Sequence, residues 1–230
     1  MFNYQLSIIK QHKGINLFGN WKLEIGAKAT NMARYTGPKD RLSRREGFDL
    51  FGKGAKLTRL TVPPGVHGPK GTRRRSEYGR QLREKQKAKR FYGLMERQFR
   101  RYVSQALKAK GNTGEKLMNL LEKRLDNIVY RLGFAPTRPA ARQLVSHKHV
   151  LVDGKKVNIP SCQVKPGQII SLTKTAMEMP TVKKLLSIKN PKVPEWLERK
   201  AAVGKVKREP KREDIIEPIV EQDIVEFYSR

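Results

Sequence analysis

The chain has 230 residues, enough for one large domain or two modest ones, and its 37% hydrophobic content keeps each core small. Its 50 Lys and Arg against 21 Asp and Glu give a formal charge of +29, which calls for a polyanionic partner. No apolar run approaches the roughly 20 residues of a membrane-spanning helix, and no lipidation signature is present. The single Cys162 excludes an internal disulfide framework and any cysteine-rich zinc site, as fits a reducing cytoplasm. Nucleic acid, not membrane, is the expected partner.

Residues 1–31 contain no arginine and only a short apolar patch, Leu6 to Ile9, well below a signal-peptide core. They are expected to be a poorly ordered extension, or to precede a usual start at Met32. From Met32 to about Arg75, Gly37-Pro38, Pro63-Pro64-Gly65 and Gly68-Pro69 favour turns over long helices, so this backbone needs something other than its own core to hold it. Arg34, Lys39, Arg41, Arg44 and Arg45, then Arg73, Arg74 and Arg75, offer charge to phosphates, while Tyr35 and Tyr78 offer flat faces for stacking. The arm reads as either disordered or ordered in the free protein, and as ordered once RNA is bound.

Ser76 can cap a helix from Glu77 to Phe91 so polar that it needs an external partner. Its Arg83, Lys85, Lys87 and Arg90 are candidate RNA contacts. After Gly93, Met95, Phe99, Tyr102, Val103 and Ala106 recur at helical spacing, and Gly111-Asn112-Thr113-Gly114 ends that segment and starts another. Leu117, Leu121, Leu125, Ile128 and Leu132 predict one helix of about five turns closed by Gly133. Arg124 and Arg131, seven residues apart, would then face a single phosphate backbone.

Thr137 can cap the next helix, with Pro139 in its first turn. Ala140, Ala141, Leu144 and Val145 pack, leaving Arg138, Arg142, Gln143 and Lys148 outward. Val150-Leu151-Val152, the Asp153-Gly154 turn and Lys155-Lys156-Val157 read as a hairpin, and Pro166-Gly167 introduces a strand from Gln168 to Leu172. Cys162 reads as a small buried strand residue, because no base surrounds it as a catalytic thiol requires. His147 and His149 lack further ligands and read as RNA-facing or packing groups, so no metal and no cofactor is expected. At the carboxy end, Glu213, Asp214, Glu217, Glu221, Asp223 and Glu226 alternate with Ile215, Ile216, Ile219, Val220, Ile224 and Val225. The aliphatics argue for docking, against the first helical domain or a neighbouring protein.

The run RLDNIVYRLGFAPTRPAARQLVSHKHVLVDGKKVNIPSCQVKPGQIISL resembles the RNA-binding module named after small-subunit ribosomal protein S-four. MARYTGPKDRLSRREGFDLF, GPKGTRRRSEYGRQLREKQKAKRFYGLMERQFRRYV, VPEWLE and EQDIVEFYSR extend the resemblance to the bacterial-type, zinc-free branch of that family, over nearly all of Met32 to Arg230. Where some members carry zinc-binding cysteines near the amino terminus, this chain has Asp40 and no cysteine. The resemblance implies a structural constituent of the small ribosomal subunit in the cytoplasm. It would be a primary binder of small-subunit ribosomal RNA at a multi-helix junction of the 5′ domain, promoting assembly and lying near the mRNA entry channel. It also implies neighbouring ribosomal proteins, notably of the S-five family, and a contribution to decoding accuracy.

The expected fold is α+β: a helical first domain with an extended basic arm, plus a small RNA-binding module of two helices and a short antiparallel sheet. The expected plan is an extension at 1–31, an arm at 32–75, a helical domain at 76–121 completed by 193–230, the module at 122–184, and a segment at 185–230 that docks back. The alternative is a pseudouridine synthase, since Arg124-Leu125-Asp126 matches the Arg-Leu-Asp around the catalytic aspartate of those enzymes, some of which carry the same module. Too few residues follow the module for a catalytic sheet domain, and Asp126 reads as a helix-surface or ion-pair residue.

Overall fold

Backbone signals in the sequence place most helix ends in the computed structural model, which describes residues 35–54, 57–71, 74, 76–188 and 193–229. Residues 1–31, Arg34, Arg73 and Arg75 lie outside the described residues. Among its described residues the arm contains helix α1, Lys39–Glu46, and a short 3-10 helix, Gly68–Lys70. It is not held only from outside: Leu50 is 3% exposed and joins the helical core, with Leu42, Phe48 and Phe51 packed against it. Ser76 accepts a hydrogen bond from the Gly79 N–H at 3.2 Å and opens α2, Glu77–Phe91. Helix α3, Glu96–Lys108, and α4, Thr113–Glu122, follow, the latter capped by the Asn112 side chain.

The five-turn helix expected through Arg124 is broken. Helix α4 ends at Glu122, Arg124 takes an extended conformation (φ −67°, ψ 137°), and α5 restarts at Leu125–Arg131. Arg124 bridges Gln163 in antiparallel fashion, the Val164 N–H donates to the Lys123 carbonyl at 2.9 Å, and the Leu125 N–H donates to the Cys162 carbonyl at 2.9 Å. Strand-like partners thus replace helical ones at the break. The leucine stripe changes partner there: Leu117 and Leu121 enter the helical core, whereas Leu125, Ile128 and Leu132 enter the core under the sheet. Gly133 (φ 71°) ends α5, its N–H donating to the Tyr130 carbonyl and that of Phe134 to Val129, which satisfies carbonyls the helix leaves open.

Helix α6, Arg138–Ser146, starts at Thr137, whose hydroxyl accepts from the Ala140 N–H. Strands β1, Val150–Val152, and β2, Lys155–Lys156, form the expected hairpin, with positive φ at both Asp153 and Gly154 as a type I′ turn requires. β3, Ile169–Leu172, pairs with β1. Short helices α7, Lys174–Glu178, and α8, Pro180–Leu186, cover part of the core through Ala176 and Val182. β4, Leu197–Lys200, and β5, Val203–Val206, then complete an antiparallel sheet of order β2-β1-β3-β5-β4.

Those last strands depart from the expectation that 193–230 completes the helical domain. Trp196, Leu197 and Val206 are buried in the core of the sheet, while Ile215, Ile219 and Ile224 are buried in the helical core. β5 reaches the sheet because Gly204 carries no side chain: a Cβ there would lie 2.4 Å from Leu132 Cδ1. Helix α9, Glu221–Ser229, lies along α2 and α4, so the polar helix α2 finds its partner inside the chain. Cys162 is half-buried in a turn beside the sheet core rather than in a strand.

Candidate nucleic-acid interface

A cleft of about 690 Å³ opens between α1, the α2–α3 turn and α5–α6. Tyr35, Lys39, Arg90, Thr137, Arg138, Arg142 and Gln143, all singled out from sequence, line it together. Lys39 Nζ sits 5.6 Å over the Phe51 ring, and Tyr35, 47% exposed, keeps its ring available at the mouth. Arg142 Nη1 lies 3.4 Å from the Gly93 carbonyl. The wall is therefore cationic and partly aromatic, a combination suited to phosphate with a base or ribose beside it.

Behind the wall stands an ion-pair network that locks the two cores together. Glu122, 1% exposed, accepts from Arg131 Nε and Nη2 at 3.1 and 2.8 Å, from the Tyr92 hydroxyl at 2.7 Å and from Asn127 Nδ2 at 2.7 Å. Burial pushes its carboxyl up, but the Arg131 and Arg138 guanidinium groups outweigh that and hold it below the usual carboxylate range. Burial lowers the Arg131 value, yet Glu122 and Glu217 raise it above the ordinary one. Arg138, expected outward, instead turns inward: its side chain is 11% exposed, stacks 3.7 Å over Phe91 and 4.4 Å over Tyr130, and donates to Asn127 Oδ1 at 2.9 Å. Burial, followed by the nearby Arg131 charge, lowers its value.

The expected phosphate-facing roles of Arg124 and Arg131 on one helix face do not match this geometry. Arg124 is 1% exposed, donates to both oxygens of Asp126 at 3.1 and 2.7 Å, and donates to the Tyr102 hydroxyl at 2.7 Å. Burial opposes its charge and Asp126 outweighs burial, raising its pKa. With their guanidinium groups bound to carboxylates, Arg124 and Arg131 join elements of the protein. Asp126 is likewise bound into that pair.

Other candidates divide in the same way. Lys85, 6% exposed, donates to Glu96 at 3.0 Å and lies 4.5 Å over Phe227. Arg83 and Arg90 pair with Glu46, and Lys87 pairs with Glu84. Arg44 donates to the Val62 and Pro63 carbonyls and pins the arm. Arg41, Arg45, Arg74, Tyr78, His147 and Lys148 are exposed. Lys148 holds a left-handed φ of 62°, which favours glycine. Sequence reasoning missed Lys89, Asn127 and Phe51 in the cleft, although Lys89 adjoins Arg90 on the same helix. Among the described residues no group of three or more His, Cys, Asp or Glu could hold a metal.

An α+β chain with a basic, aromatic-edged cleft between two cores belongs to the nucleic-acid-binding class. Residues 34–122 match the family described as ribosomal protein S4/S9 N-terminal domain, and residues 123–170 match the S4 domain. The boundary between the two matches falls at the helix break. The chain is 53% identical over 208 residues to small ribosomal subunit protein uS4 of Dictyoglomus turgidum, 52% over 201 residues to that of Parabacteroides distasonis, and 51% over 207 residues to that of Cupriavidus pinatubonensis. Each match covers 86% of this chain and 100% of the relative. The chain belongs to the small ribosomal subunit protein uS4 family. Its relatives are named as ribosomal proteins and not as RNA-modifying enzymes, so the pseudouridine synthase alternative is not favoured.

Proposed function

We propose that the chain is a structural constituent of the small subunit of the cytoplasmic ribosome and grips small-subunit ribosomal RNA in the cleft between α1, α2 and α6. The observation that carries this reading is the convergence of Tyr35, Lys39, Arg142 and Gln143 on one cleft whose rear wall is fixed by Glu122 and its arginines. Clustered cations release counterions from phosphates, and a rigid wall selects the shape of packed RNA helices without reading base edges. Binding would fall at a multi-helix junction of the 5′ domain, early in assembly, with the basic arm lying between RNA helices. Neighbouring proteins, notably of the S-five family, and mRNA at the entry channel would be further contacts and link the chain to decoding accuracy. Crosslinking in growing cells followed by sequencing tests this: reads should concentrate at one junction of small-subunit ribosomal RNA. Reads scattered over unrelated transcripts would contradict it.

A further inference from the structure

The five-stranded sheet buries one face, through Val150, Val152, Ile170, Leu172, Leu197 and Val206, and among the described residues leaves the other open. Its register sets one residue of each strand in a straight row across the open face. Lys156 faces Leu151, Leu151 faces Ser171, Ser171 faces Val203, and Val203 faces Lys200. Four interstrand spacings put the two terminal lysines roughly 19 Å apart at Cα. Between them lie only a hydroxyl and aliphatic side chains, and Val203 and the neighbouring Ile169 stay 42% and 45% exposed.

The next row adds Lys205 opposite Ile169 and Glu198 opposite Lys205. Glu198 lies 3.6 Å from both Lys200 and Lys207. The Asp153 carboxylate is engaged at the hairpin, accepting from the Ile169 N–H and from Gln168 at 2.8 and 2.7 Å. Four lysines against two carboxylates, one of them occupied by the turn, leave the face net cationic. No aromatic ring is among these residues, so stacking of unpaired bases has no platform here.

We propose that this open face is a second RNA-binding surface, and that its occupant is the shallow minor groove of an RNA double helix. The edge lysines would meet the phosphates of the two strands, the aliphatic centre would lie on the riboses, and Ser171 would meet a 2′-hydroxyl. Recognition across an RNA minor groove runs through phosphate and 2′-hydroxyl contacts. The surface lies apart from the cleft and rests on the proposed role as a ribosomal RNA binder. The protein would then hold two RNA elements at once, which suits a junction binder.

The test is hydroxyl-radical footprinting of the full chain on small-subunit ribosomal RNA, comparing it with the double variant Lys156→Gln, Lys200→Gln. Both lysines are exposed, so the fold persists, and thermal melting checks this. The double variant should lose protection of riboses on both strands of one RNA helix, keep the rest of the footprint, and bind about threefold to tenfold more weakly. An unchanged footprint, or uniform fading of every protection, would overturn the proposal. So would an unchanged footprint accompanied by loss of a neighbouring protein from assembled subunits, which would mark a protein-docking face. If the unaltered chain leaves no footprint on this RNA, the underlying role fails instead.

Discussion

Arg131 grips Glu122 with two parallel hydrogen bonds, 3.1 and 2.8 Å long, and so ties α5 of the sheet half to the end of α4 in the helical half. The same Arg131 Nη2 reaches Glu217 at 2.8 Å, bringing in the carboxy-terminal segment. One guanidinium therefore joins the ends of two consecutive helices to a carboxy-terminal stretch 86 residues further along the chain.

Breaking that pair should be costly. Arg131→Met leaves the Glu122 carboxylate buried without its main partner, and stability should fall by about 3 to 5 kcal/mol. Urea unfolding of the variant against the unaltered chain measures this, and a loss below about 1 kcal/mol would show that water or rearrangement replaces the pair.

Acid should weaken the contact between α9 and α3. Burial pushes the Glu96 carboxyl up, but hydrogen bonds from Lys89, Tyr228 and Lys85 outweigh it and hold it at about 2, against an ordinary 4.5. A lowered folded value means that the contribution is complete above the unfolded value and disappears as pH falls through the folded one. The melting temperature should drop between pH 5 and pH 2, and Glu96→Gln should flatten part of that drop. The side chain is 45% exposed, so solvent screening keeps the effect modest.

Lys148 occupies backbone that glycine adopts at no steric cost. Lys148→Gly should stabilise the chain by up to about 1 kcal/mol and weaken RNA binding, because the exposed ammonium at the end of α6 is lost. Equal RNA affinity in a filter-binding titration would show that the lysine serves no phosphate.

Local signals made much of the fold legible. The Ser76 and Thr137 caps, the Gly133 stop and the Asp153-Gly154 turn are short-range devices whose geometry follows from residue type. The break at Arg124 was not legible, because hydrophobic spacing runs through it unchanged and the strand-like partner, Gln163, lies far along the chain. Val203 to Val206 was equally hidden, since Lys205 and Gly204 disguise a strand that needs β3 beside it. For the site, residue type announced the cations but not their partners. Arg124 and Arg142 look alike in sequence, and only tertiary placement puts one on Asp126 and the other at the cleft.

That division of the arginines is tested most directly by measuring melting temperature and ribosomal RNA affinity, at two salt concentrations, for two variants side by side. Arg124→Gln strands Asp126 in the interior and should lower stability by about 3 to 5 kcal/mol, while folded protein keeps nearly the full affinity. Lys39→Gln combined with Arg142→Gln should leave melting within about a degree, weaken binding by roughly tenfold and make it less salt-dependent, because fewer phosphate counterions are released. The reverse pattern, with Arg124→Gln impairing RNA binding at unchanged stability and the cleft pair binding normally, would contradict the assignment of the cleft as the RNA grip.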